Sequence, residues 1–183
     1  DYSPDGKYLA YIYKWGFLPH NRSRRNVLCI RYLETGEDRE FSLNLPYILR
    51  SCSPRWSPDC RSILVSGIDN WGDYGIYKID VQTGDVTCIV QNGHSGVWSH
   101  DGKSIFYLRH DSKAGIPKIV VRDLETGKEK ELYQSVSEEY EPFNISLSPD
   151  GQWLALRCIG PTSLKVMSVT GGKPPFINIS QIF

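Results

Sequence analysis

Short apolar runs rich in Ile, Val, Leu and Tyr recur along the whole chain, separated by polar turn residues. Lys103–His110 (KSIFYLRH) and Pro117–Glu125 (PKIVVRDLE) are typical. Their length and β-branched content suit strands rather than helices. No segment carries a long amphipathic helical pattern. The pattern therefore predicts an all-β chain of short strands.

The punctuation between the runs is regular. The phrase "SPDGKYLAYIY" begins at Ser3 and returns as "SPDCRSILVS" at Ser57, "SHDGKSIFYL" at Ser99 and "SPDGQWLALR" at Ser148, with spacings of 54, 42 and 49 residues. A second phrase alternates with it. Its threonines are Thr35, Thr83, Thr126 and Thr170, each followed by glycine, spaced 48, 43 and 44 residues. Pro-Asp-Gly is a tight-turn sequence, in which proline presets φ and glycine accepts a positive φ. Thr-Gly before a polar residue is a second turn with the same glycine logic.

Each repeat thus predicts four strands, flanking the two turns. In the third repeat they fall near Ser95–Ser99, Lys103–Arg109, Lys118–Leu124 and Glu129–Tyr133. A four-stranded antiparallel unit of roughly 40–50 residues is a propeller blade. One such sheet cannot cover both its faces, so the core is expected between stacked blades. The turn and blade positions this alignment singles out are Asp5, Gly6, Trp56, Asp59, Gly84, Trp98, Asp101, Gly102, Gly127, Asp150 and Gly151. Two positions depart from the pattern. Cys60 replaces the turn glycine and His100 replaces the proline, so those two turns are expected to be strained or of another type.

"WSPDC" (Trp56–Cys60), "WSHDG" (Trp98–Gly102), "LSPDG" (Leu147–Gly151), "IYKIDVQTG" (Ile76–Gly84) and "IVVRDLETG" (Ile119–Gly127) carry a family likeness. These repeats resemble the WD40-like propeller repeats of TolB and of the N-terminal propellers of prolyl-oligopeptidase-type enzymes. The resemblance covers nearly the whole chain. It implies a β-propeller of four-stranded antiparallel blades, in rings of roughly six to eight blades.

The expected blades are 1–44, 45–91, 92–134 and 135–183, a single domain of four repeats. The first lacks its first strand, and "NISQIF" (Asn178–Phe183) has the character of the missing one. Three ring architectures are compatible with this phase. The four blades close on themselves, or they form part of a larger propeller, or two copies exchange strands between their termini. Ring strain favours the last: half of an eight-bladed ring closed as a homodimer.

Charge and composition narrow the partners. Lys plus Arg balances Asp plus Glu at 21 each, so nonspecific nucleic-acid binding lacks its electrostatic basis. No apolar run reaches the length of a membrane-spanning helix. The five cysteines are odd in number and form no CxxC pair, so neither a zinc site nor a disulfide framework is expected. They lean towards a reducing compartment.

No catalytic motif is expected to function here. "GHSGV" at Gly93–Val97 approaches a serine-hydrolase elbow, but valine stands where the last glycine belongs. There is no Walker loop, no HExxH and no dinucleotide fingerprint, and none of His20, His94, His100 and His110 has a metal-ligating partner at short spacing. No cofactor, metal or catalytic residue is assigned.

Candidate partner-binding loops remain. His20, Arg22, Arg24 and Arg25 belong to a basic loop, and Glu138 and Glu139 to an acidic one. Asp69, Asn70, Trp71 and Asp73 form "DNWGD" with Gly72, a loop whose oxygens suit turn formation better than calcium. The expected function is a non-enzymatic propeller scaffold that presents such loops to a protein or peptide. The family resemblance adds an alternative, the regulatory propeller of a prolyl-oligopeptidase-type hydrolase. Small-ligand or ion binding in a central channel is a third.

Overall fold

The four Ser-x-Asp-x turns are built alike. In the first, Ser3 Oγ donates to Asp5 Oδ1 at 2.6 Å and accepts the Tyr8 amide at 2.9 Å, while the Lys7 amide donates to the same carboxylate at 3.1 Å. The turns at Ser57, Ser99 and Ser148 repeat these bonds with Asp59, Asp101 and Asp150. In each, the serine amide donates to the carbonyl five residues on, which closes the hairpin. Gly6, Gly102 and Gly151 lie at φ 70 to 71°, and Cys60 at 59°. The turn with His100 is therefore of the same type as the others. Only Cys60 brings a side chain into the left-handed region that favours glycine.

The computed structural model describes residues 1–15, 25–43, 45, 47–49, 53–110, 117–134, 142–158, 163–171 and 176–178. Among them there is no helix. Sixteen strands form antiparallel sheets. No helix of the described residues is long and apolar enough to cross a membrane.

The chain divides into two units, Asp1–Gln91 and Asn92–Phe183. In the first, β1 (Tyr8–Trp15), β2 (Arg25–Tyr32) and β3 (Asp38–Leu43) form a three-stranded sheet. Tyr2 adds a single bridge to Leu9. The second sheet of this unit has β4 (Tyr47–Ile48) and β5 (Arg55–Trp56) one after the other along β6 (Ser62–Ile68), then β7 (Tyr74–Asp80) and β8 (Val86–Gln91). The first strand of this blade is thus split in two, a break the repeat pattern did not foretell.

In the second unit, β9 (Gly93–Trp98), β10 (Ser104–His110), β11 (Pro117–Asp123) and β12 (Glu129–Gln134) form one sheet in chain order. These bounds lie within two residues of the predicted strands. The other sheet has β13 (Pro142–Leu147), β14 (Trp153–Cys158), β15 (Ser163–Ser168) and β16 (Phe176–Asn178). Of Asn178–Phe183, the segment expected to exchange strands, Asn178 ends β16 and pairs with Ser163, and 179–183 lie outside the described residues.

Each unit buries its own core between its two sheets. In the first, Ala10, Leu28 and Ile30 face Ile63, Val65, Tyr77 and Ile79. Trp56 joins them, with its ring 6.0 Å from that of Tyr8 and its indole N–H donating to the Asp1 carbonyl at 3.2 Å. In the second, Val97, Phe106, Leu108 and Ile119 face Ile145, Leu154, Leu156 and Met167. Trp98, matched to Trp56 in the repeat, is buried as well. The cause is the two-residue period of a strand, which sends alternate apolar side chains to the covered face.

The Thr-Gly turns connect the outer strands. Gly36, Gly84 and Gly127 donate their amides to the carbonyls of Tyr32, Asp80 and Asp123. The fourth is tighter, because Gly171 donates to Ser168 instead. Gly84 is the crowded one. A Cβ built there would lie 2.6 Å from Phe41 Cδ1 on the neighbouring sheet of the same unit.

Candidate functional site

β6 leaves the Ser57 turn at one end of its sheet and reaches the other end at Ile68. The loop to β7 therefore projects from the end opposite the turns. It is short and internally bonded. The Asp69 amide donates to the Asp73 carbonyl at 3.0 Å, and the Gly72 amide to the Asp69 carbonyl at 3.2 Å. Asp69 Oδ1 accepts the amides of Trp71 at 2.8 Å and Asp73 at 3.0 Å. Asp69 is thus the organiser of the loop, as the turn-forming chemistry of aspartate dictates. With Asp69 so engaged, Trp71 is held at the tip with 85% of its surface exposed. Asn70 and Asp73 flank it.

Tyr47, Ile68 and Tyr74 share one rung directly below this loop, since Tyr47 pairs with Ile68 and Ile68 with Tyr74. Paired residues in a ladder present their side chains on the same face. Both tyrosines are exposed. Sequence reading singled out the loop but not this rung, because strand register brings Tyr47 and Tyr74 together across 27 residues. The local signal was an aromatic residue at a strand end.

The electrostatics of this corner are negative. Burial pushes the Tyr77 hydroxyl up to about 12, with Cys88 and then the carboxylates of Asp69 and Asp73 adding to the shift. Among the described residues no ion pair engages Asp69 or Asp73. Nor do the described residues contain a group of three or more His, Cys, Asp or Glu that would hold a metal.

The other candidates are placed as follows. His20, Arg22, Arg24, Glu138 and Glu139 lie outside the described residues. Arg25 opens β2, of which only the backbone is described at that position. Ser95 lies within β9, not on an exposed elbow. Its φ is 56°, at a bulge where the register with β10 shifts. The residue is buried, and its hydroxyl donates to the Phe143 carbonyl at 2.9 Å. His94 Nδ1 lies 3.0 Å from the same hydroxyl. With the serine proton directed to Phe143, that contact is satisfied by the imidazole donating, the reverse of general-base catalysis. Cys29, Cys60 and Cys88 are free thiols.

A second polar cluster lies on β10–β12. Glu129 accepts from Arg109 at 2.7 Å, from Arg122 at 2.8 Å and from the Tyr107 hydroxyl at 3.0 Å. Desolvation opposes ionisation of this carboxylate. The three donors outweigh it and hold the carboxyl below its usual range. The cluster satisfies itself within one sheet, which is the arrangement of a structural network.

No protein-family model matches the chain. The uncharacterized peptidase YuxL of Bacillus subtilis is 28% identical to it over 153 residues, covering 84% of this chain and 20% of that protein. The chain thus spans about a fifth of that relative's length. Among solved structures, a puromycin-hydrolyzing peptidase of Mycobacterium tuberculosis matches with a TM-score of 0.66 and 17% identity, over 92% of this chain and 29% of that one. A putative TolB from Agrobacterium tumefaciens matches with a TM-score of 0.62 and 19% identity, over 96% of this chain and 78% of that one. The β-propeller domain of the trilobed protease from Pyrococcus furiosus matches with a TM-score of 0.60 and 18% identity, over 94% and 54%. With its antiparallel sheets of three to five strands and these neighbours, the chain has the fold of the TolB-like β-propellers.

Proposed function

We propose that this chain is the non-catalytic propeller part of a peptidase, and that it presents its loops to a peptide or protein partner. One observation carries the reading: the chain is similar over most of its length to a fifth of a protein named as a peptidase. Similarity in fold to the puromycin-hydrolyzing peptidase supports it. In this reading the chain hydrolyses nothing itself. The burial of Ser95 and the direction of its hydrogen bond favour a structural role for that serine.

A second reading is a free-standing scaffold. Its support is that the match takes in 78% of the putative TolB chain. The two readings differ in what lies beyond the stretch described. Labelling the intact gene product with a fluorophosphonate, followed by peptide mapping, separates them. A labelled serine outside residues 1–183 is expected for a peptidase. No labelling favours the scaffold. Stoichiometric labelling of Ser95 would overturn both.

A further inference from the structure

We propose that the β6–β7 loop is a docking site for a cationic segment of a peptide or protein, with an arginine or lysine seated on the Trp71 indole and Asp73 as its counter-ion. This deepens the partner-binding reading above and rests on it.

Three observations converge on a cation. An indole exposed at 85% on a structured loop offers the largest aromatic face of any side chain to a partner. The loop is closed by two backbone bonds and two bonds to Asp69 Oδ1, so the backbone that carries Trp71 is already ordered before binding. The charged residues nearest to Trp71 along the sequence are Asp69 and Asp73, both negative and without an ion-pair partner among the described residues. An indole face attracts a cation through its ring quadrupole, and adjacent carboxylates add charge-assisted hydrogen bonds. An acidic partner meets like charge at the same place. Tyr47 and Tyr74, on one rung below, supply amphipathic surface for the rest of an extended segment. A metal ion is the less suitable occupant, because one oxygen of Asp69 already serves two amides.

The test uses three fluorescein-labelled peptides, Gly-Ser-Arg-Gly-Arg-Ser-Gly and its counterparts with both arginines replaced by citrulline or by glutamate. Binding is read by anisotropy at about 50 and about 300 mM salt, since screening weakens exposed charge pairs. The arginine peptide is expected to bind tightest and to lose affinity at the higher salt. Trp71→Ala is expected to weaken it about threefold or more. Asp73→Asn is expected to weaken it and flatten its salt dependence. Unchanged melting temperatures for both variants show that the fold is intact. Equal binding of the citrulline peptide would overturn cation recognition while leaving peptide docking in place. Equal binding by Trp71→Ala, or no binding of any peptide, would overturn the site itself. The serine labelling above is read independently of all these outcomes.

Discussion

Replacing Gly84 with alanine separates two costs that usually come together. Gly84 and Gly36 occupy the same kind of turn, at φ 81° and 75°. An alanine at either position enters the left-handed region, which costs roughly 1–2 kcal/mol. The stiffer unfolded chain returns about 0.4–1 kcal/mol of that. The net conformational cost is therefore about 1 kcal/mol at both sites. The surroundings differ. A Cβ at Gly36 meets nothing within 4 Å, whereas at Gly84 it lies 2.6 Å from Phe41 Cδ1 and 3.0 Å from Cε1. Ordinary carbon contacts are about 3.5–4.0 Å, so the ring must retreat by about 1 Å. Phe41 has little room to do so, being packed against the core of the first unit under the Arg39 guanidinium, 4.8 Å above its ring. Overpacking of this kind adds about 1–3 kcal/mol. Gly84→Ala should thus cost about 2–4 kcal/mol and Gly36→Ala about 1. Urea unfolding with unchanged slope measures both. Phe41→Leu should relieve part of the Gly84→Ala penalty and none of the Gly36→Ala penalty, as a double-mutant cycle would register. Equal costs at the two glycines, within about 0.5 kcal/mol, would refute the contact with Phe41.

Two further outcomes are expected. Cys60→Gly should be neutral or stabilising by up to about 1 kcal/mol, because relief of the left-handed strain offsets lost packing; a clear fall in melting temperature would show that this turn differs from the other three. Stability should also fall in acid. Asp5, Asp59, Asp101 and Asp150 are held below the ordinary value of 3.8, first by their serine hydroxyls and then by amide hydrogen bonds. Depressed carboxyls contribute stability that is fully present above the unfolded pKa and is lost as pH falls through the folded pKa. Urea midpoints should hold level above about pH 5 and decline below about pH 4, and Asp101→Asn should soften that decline. A midpoint that stays level down to about pH 2 would remove the four turns from the account of acid lability.

Much of the fold was legible because its turns are local. Each Ser-x-Asp-x turn closes within six residues through bonds among its own side chains and amides, so the phrase itself carries the geometry. Even there, the pattern drew attention to proline and glycine, while the structure gives the serine as large a part. Ser3, Ser57, Ser99 and Ser148 each bond both the aspartate and a downstream amide. The strands between the turns followed from apolar runs too short for helices.

What the sequence could not determine was which apolar residues meet a partner. Trp56 and Trp71 are both tryptophans beside turn residues, yet one is buried against Tyr8 and the other stands in solvent. The split of β4 from β5, the bulge that places Ser95 at positive φ, and the rung joining Tyr47 to Tyr74 are likewise absent from any local pattern. The sequence alone determined the repeat, its turns and its strands, since their hydrogen bonds join near neighbours in the chain. Tertiary structure alone decided burial, register and the exposed aromatic corner. Those depend on contacts between sheets and between strands tens of residues apart, where the free energy belongs to the pair and not to either segment.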